Sequence, residues 1–148
     1  MNEFKPFDDR LAGLIAALTP ASRRRMATEI AKTLRTRQQR RIKTQKAPDG
    51  TPYAARKRQP VRAKKGRVKR EMFVNLRTNR FMKASGRDDA AVVEFTGKVQ
   101  RIAKVHQYGL KDKPGRNSKP VQYQMRQLIG FTQTDLDAIE SIISKTLD

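Results

Sequence analysis

Between Thr51 and Arg70 the chain carries Arg56, Lys57, Arg58, Arg62, Lys64, Lys65, Arg67, Lys69 and Arg70 with almost no apolar periodicity, and Pro52, Pro60 and Gly66 interrupt it. A stretch of this kind has too little to bury to offset the entropy of ordering it. It predicts an extended basic arm over about 51–70, mobile until it meets a partner. The core must therefore come from the rest of the chain. With 148 residues and 36% of them hydrophobic, one modest core in a single domain spanning 1–148 is the expectation.

The charge reaches beyond the arm. From Arg23 through Arg70 the only acids are Glu29 and Asp49, so this half produces almost all of the formal net charge of +20. A field of that sign attracts polyanions. It admits two occupants: the phosphates of DNA or RNA, bound in a salt-dependent and sequence-indifferent way, or acidic protein surfaces. Binders of single strands interleave aromatics for base stacking, and here Tyr53 is the only aromatic between Arg23 and Arg70. That lowers base recognition and leaves the backbone of a nucleic acid and an acidic protein equally open on charge alone. Arg40 and Arg41, on a helix ahead of the arm, join the candidate partner-binding set.

Around the basic half the apolar residues fall into periodic segments. Leu11, Leu14, Ile15 and Leu18 follow Asp8 and Asp9 at helical spacing and predict a short helix. Thr19 before Pro20 reads as an N-cap with proline at the first helical position. The longer helix it opens has the stripe Met26, Ile30, Leu34 and Ile42, flanked by Ala27 and Ala31. It stops before the turn of Pro48, Asp49 and Gly50. Met72, Phe73, Leu76 and Phe81 suggest a third helix, or a helix followed by a strand. After a turn at Gly86–Asp89, Ala90–Thr96 reads as a strand. Ile102, Val105 and Tyr108 suit a short helix closed by Gly109. A polar loop or hairpin tip follows at about 110–119, and Val121 with Tyr123 makes a second strand, paired antiparallel with the first or with a neighbouring subunit. Thr132 with Asp135 forms a capping box ahead of a last helix bearing Leu136, Ile139, Ile142 and Ile143. These apolar stripes are most simply core. The sum is an α+β chain: a small antiparallel sheet packed with a long N-terminal helix and a C-terminal helix, plus the basic arm.

Little in the sequence supports chemistry. The absence of cysteine excludes disulfides, thiolate nucleophiles and cysteine-ligated zinc. The single histidine, His106, has no serine in a glycine-elbow context to activate. No cluster of metal ligands and no phosphate-cradling glycine loop is present. Asp135, Asp137 and Glu140 sit at a helix start, where the macrodipole explains them. An enzyme is not expected, nor is a cofactor or metal. Met1–Asp9 has no apolar centre of a signal peptide, and no run of about 18 apolar residues suggests a membrane span. A soluble, cytoplasmically made protein without membrane contact is the expectation.

Several strings taken together resemble the phage virion morphogenesis family of contractile-tailed temperate phages. They are Arg23-Arg24-Arg25, Gln38–Ile42, Pro48–Tyr53 with Arg56-Lys57, Lys65-Gly66-Arg67, Met72-Phe73 and Leu76-Arg77. They continue as Phe95-Thr96-Gly97, Arg101-Ile102-Ala103, Val105–Leu110, and Arg126, Leu128, Ile129 and Gly130. A proline would be expected near Gln124 or Met125 and is missing. The resemblance implies a structural protein that closes the head-proximal end of the tail tube and makes the tail competent for head joining. It implies a ring of copies, hexameric to match the tube. Its partners would be tail tube and sheath proteins and the head-side connector or other completion proteins, with possible contact to DNA in the channel. Its place would be the tail or neck of the virion, after assembly in the host cytoplasm. Under this reading His106, Tyr108 and Gly109 form a structural turn, and the basic arm carries the function. The alternative is a non-sequence-specific nucleic-acid-binding protein acting through the same arm.

Overall fold

The computed structural model describes residues 12–56 and 71–148. Helix α1 is seen over 12–16, and α2 follows over Pro20–Lys43. Thr19 caps α2 as its sequence dictates, its hydroxyl accepting the Ser22 backbone N–H, with proline in the first turn. Residues Met26, Ala27, Ile30, Ala31, Leu34 and Ile42 are buried along one face of α2. Gln38 is buried in the same row, and the apolar pattern gave no warning of it.

Strands β1 (Met82–Gly86) and β2 (Ala91–Phe95) form an antiparallel hairpin in which Met82 pairs with Phe95, Ala84 with Val93 and Gly86 with Ala91. The hairpin packs against α2. A side chain at Gly86 would come within 2.2 Å of the Thr28 backbone nitrogen, so the strand passes the helix there only because the residue is glycine. The expected helix around Met72–Phe81 is not formed: the chain makes hydrogen-bonded turns at 74–81 and then enters β1. Four apolar residues at loose spacing were satisfied by packing Met72, Phe73, Leu76 and Phe81 onto an existing core, without a helix of their own.

Helix α3 (Gln100–Tyr108) ends at Gly109, whose left-handed backbone (φ 64°) closes it. Strands β3 (Lys111–Asp112) and β4 (Val121–Gln122) pair antiparallel as a separate small hairpin. The second strand therefore pairs within the 110–119 region, not with the Ala91–Phe95 strand, because the local turn brings Lys111 opposite Gln122 at little entropic cost. Helix α4 (Gln133–Leu147) begins with the capping box: the Thr132 hydroxyl accepts from the Asp135 N–H, and the Asp135 carboxylate accepts from the Thr132 N–H.

Two apolar clusters result. In one, Met26, Ile30 and Leu34 of α2 meet Ile142 and Ile143 of α4, with Ile15 and Leu18 laid against them. In the other, Ile42 at the far end of α2 meets Met82, Phe95, Val99, Ala103 and Leu128. Val93 touches both. The second cluster includes irregular chain, and three glutamine amides hold that chain. The Gln38 amide donates to the Gly130 carbonyl. Gln45 accepts from the Met72 N–H and donates to the Met72 carbonyl. Gln107 accepts from the N–H groups of Leu128 and Ile129 and donates to the Ile129 carbonyl. Each amide pairs with backbone groups much as a neighbouring strand would, which satisfies polar groups that burial leaves without water.

Candidate functional site at the root of the basic segment

The chain leaves the described structure at Arg56 and re-enters at Glu71, and the residues next to these points meet. Tyr53 and Phe73 pack edge to face with ring centroids 5.5 Å apart. Gln45 clamps Met72 and accepts, at its backbone oxygen, the N–H of Tyr53. The Tyr53 hydroxyl donates to the Gln127 carbonyl at 2.7 Å. Arg126, 7% exposed, donates through Nε to the Ala54 carbonyl and through a terminal nitrogen to that of Ala55. A single bracket thus holds both ends of the intervening cationic stretch.

The bracket is strained and aromatic. Gln45 (φ 60°) and Phe73 (φ 67°) are the non-glycine residues with left-handed backbones among the described residues. Each conformation costs on the order of 1–2 kcal/mol and persists only where surrounding contacts enforce it. The aromatic series continues from Phe73 to His106 (4.9 Å) and from His106 to Tyr123 (5.4 Å). Burial first, and then the charge of Arg126, holds the His106 imidazole below its ordinary 6.5. Burial lowers the Arg126 guanidinium, helped by neighbouring Arg56. Two arginines and a histidine therefore stand together here, and none of them has a carboxylate partner among the described residues.

The candidate residues named from the sequence scatter over this geometry. Arg56 stands exposed at the lip of the bracket, near Arg126. Arg40 is exposed on α2. Arg41 turns inward: it donates to the carbonyls of Leu128 and Lys46 and to the Gln38 side chain, so its guanidinium is engaged within the chain. Burial lowers Arg41 and raises the Tyr53 hydroxyl, and each charge opposes the other's shift. Lys57, Arg58, Arg62, Lys64, Lys65, Arg67, Lys69 and Arg70 lie outside the described residues. Thr51–Arg56, assigned to the arm from sequence, is anchored instead. Thr51 accepts from the Ala47 N–H, Lys46 and Pro52 form a β-bridge, and Arg126 binds Ala54 and Ala55. Pro48, Asp49 and Gly50 make the turn ahead of it, with Gly50 at φ 87° and the Asp49 carboxylate accepting from the Thr51 N–H, a bond that lowers its pKa.

His106 is half-buried, Tyr108 is 62% exposed, and Gly109 closes α3 where a Cβ would lie 2.9 Å from the Met125 nitrogen. Sequence reasoning missed Gln45, Gln107, Phe73 and Arg126 as members of one site. Phe73, Gln107 and Arg126 stand in family-like strings and Gln45 in none, and nothing there indicated what they would hold. Among the described residues no three potential metal ligands gather. No described helix is long and apolar enough to cross a membrane.

The profile of the phage virion morphogenesis family matches residues 2–148. The chain is 52% identical to the tail completion protein S of Escherichia phage P2 over 149 residues, which covers 100% of this chain and 99% of that protein. No solved structure matches the chain.

Proposed function

The chain belongs to the phage virion morphogenesis family, and from that membership we propose that it is a structural protein that completes the phage tail. It closes the head-proximal end of the tail tube as a ring of copies, hexameric to match the tube, and so makes the tail competent to join the head. The observation that carries this reading is the 52% identity, over essentially the full length of both chains, to a protein named for tail completion. Its work is contact rather than catalysis. It acts with other phage tail and head proteins, in the tail or neck of the virion, after assembly in the host cytoplasm.

The bracket supports a mechanism for that contact. A cationic stretch anchored at both ends by Gln45, Tyr53, Phe73 and Arg126 is presented from a fixed place on the surface, so binding need not first position its ends. Its natural counterpart is the acidic rim of an adjoining ring. The alternative, a nucleic-acid module, draws no support from the comparisons.

The test is to add tagged, nucleic-acid-free protein at moderate salt to cognate headless tails that lack it and to locate the tag by negative-stain electron microscopy. Decoration confined to the head-proximal tip is the expected result. Bare tips together with strong DNA binding at the same salt would overturn the reading.

A further inference from the structure

Two exposed apolar patches on this chain carry opposite charge. The first surrounds Gly109. Tyr108 (62% exposed), Leu110 (38%) and Met125 (67%) stand around that glycine, with Met125 directly against it. Arg126 follows Met125 in the chain and donates its backbone N–H to the His106 carbonyl, and the exposed Arg56 lies near Arg126. The nearby acid, Asp112, is already paired with Arg101. Tyrosine, methionine and arginine together are the composition of an interface core rather than of an ordinary surface.

The second patch opens α4. Phe131 precedes the Thr132 cap and Leu136 follows one turn later, the positions of a hydrophobic staple, yet they remain 61% and 47% exposed. Along the outer face of α4 beyond them stand Asp137 and Glu140, exposed and without an ion pair among the described residues. The inner face of the same helix is spent on Ile142, Ile143 and the Asp135–Arg37 pair.

The two patches are built on different elements. The Gly109 patch belongs with the α3 end of the molecule, where Ile42 closes α2. Helix α4 starts near Arg37 and runs toward Met26 and Ile30, carrying Asp137 and Glu140 away from the α3 end. A twofold contact of either patch with itself would set like charges against each other, which costs affinity. The head-to-tail contact matches apolar to apolar and positive to negative, and a repeated head-to-tail contact is what generates rings.

We propose that the Tyr108, Leu110, Met125 and Arg56 patch of one copy docks on the Phe131, Leu136, Asp137 and Glu140 face of the next copy of this chain. The proposal deepens the ring reading above and rests on it. The chain lacks cysteine, so introduced cysteines report contacts without background. Full-length Met125→Cys and Leu136→Cys proteins are mixed, added to tails that lack the protein, and oxidised.

The expected product is a covalent heterodimer about tenfold more abundant than the dimer from either variant alone, since only the complementary pairing is favoured. A chain with both substitutions gives a ladder of multimers. Adding Asp137→Lys and Glu140→Lys to the Leu136→Cys chain lowers the yield, and Arg56→Glu in its partner restores it. Decorated tails with no excess of heterodimer would overturn this docking mode and leave tail completion standing. Undecorated tails would remove the tail reading, and the same mixture oxidised at high concentration in solution would then decide the pairing by the same heterodimer excess.

Discussion

The two halves of the core are closed by different means. Where α2 meets α4, Met26, Ile30, Leu34, Ile142 and Ile143 fit side by side, and the polar bonds are a local cap and one ion pair. Where α2 meets the hairpin, α3 and the 126–130 stretch, the fully buried Ile42, Met82 and Leu128 are framed by side chains bonded to distant backbone. Gln38 reaches Gly130, Gln107 reaches Leu128 and Ile129, and Gln45 reaches Met72. The helical half needs only apolar periodicity. The other half needs specific amides at specific places, because irregular chain cannot satisfy its own backbone groups. The bracket that holds the basic segment is built on that second half.

The largest effect is therefore expected at the centre of the second half. Leu128→Ala removes a side chain with no exposure whose backbone is pinned by Gln107, so the site cannot collapse; about 3–5 kcal/mol should be lost. Ile142→Ala, at the edge of the helical half, should cost about 2–3 kcal/mol. Denaturant melts of both variants measure the contrast, and equal losses would break it. Next comes Gly109→Val. A β-branched residue at φ 64° against the Met125 backbone should cost about 2–4 kcal/mol. Wild-type melting would show that the turn relaxes.

Gln107→Leu sharpens the comparison further. It keeps the volume nearly constant but orphans the N–H groups of Leu128 and Ile129, while the Ile129 carbonyl keeps the Gln127 amide, for a loss of about 2–3 kcal/mol. Hydrogen exchange should show protection falling at 126–130 and at Tyr53 while the amides of α4 keep theirs. A uniform loss across both halves would mean that they open as one unit.

The same contrast explains what the sequence disclosed. Thr19-Pro20, the stripe Met26 to Ile42, the Thr132 and Asp135 box and the Gly109 stop are local signals, and each states its structure within a few residues. The Ala91–Phe95 strand was legible from Val92, Val93 and Phe95, but its partner Met82–Gly86 was legible only as the strand that one reading placed after the Met72–Phe81 segment, since Lys83, Ser85 and Gly86 carry no strand preference and pair because a neighbour imposes it. Met72 and Phe73 are misleading in the same way: their burial depends on Gln45 and Tyr53, which lie on the far side of the basic segment. Arg41 was read as surface charge, and only the fold could reveal the Leu128 and Lys46 carbonyls it meets. At the candidate site the charge was legible, and the bracket that holds it was not.

The smallest effect separates the halves by acidity. His106, in the bracket, has its pKa lowered by burial and by Arg126. Neutral in the fold, it gives full stability above the unfolded value of 6.5, and that contribution drains as pH falls from 6.5 through the lower folded pKa, because the unfolded chain takes the proton first. Burial alone would raise the Asp135 carboxyl in the helical half, but the Thr132 backbone N–H, Arg37 at 2.5 Å and the Thr132 hydroxyl outweigh it and leave the pKa below the ordinary 3.8. Its contribution has the same sign and holds until pH falls below 3.8. On acidification the bracket should thus loosen first. Hydrogen-exchange protection around Tyr53 and Arg126, taken relative to the intrinsic rate at each pH, should fall below pH 6.5 while the α2–α4 contact stays protected to below pH 4. In His106→Asn the first step should vanish and the second remain. A first step that survives in His106→Asn would move the titration to another group, and simultaneous loss of both regions would make the two halves of the core a single cooperative unit.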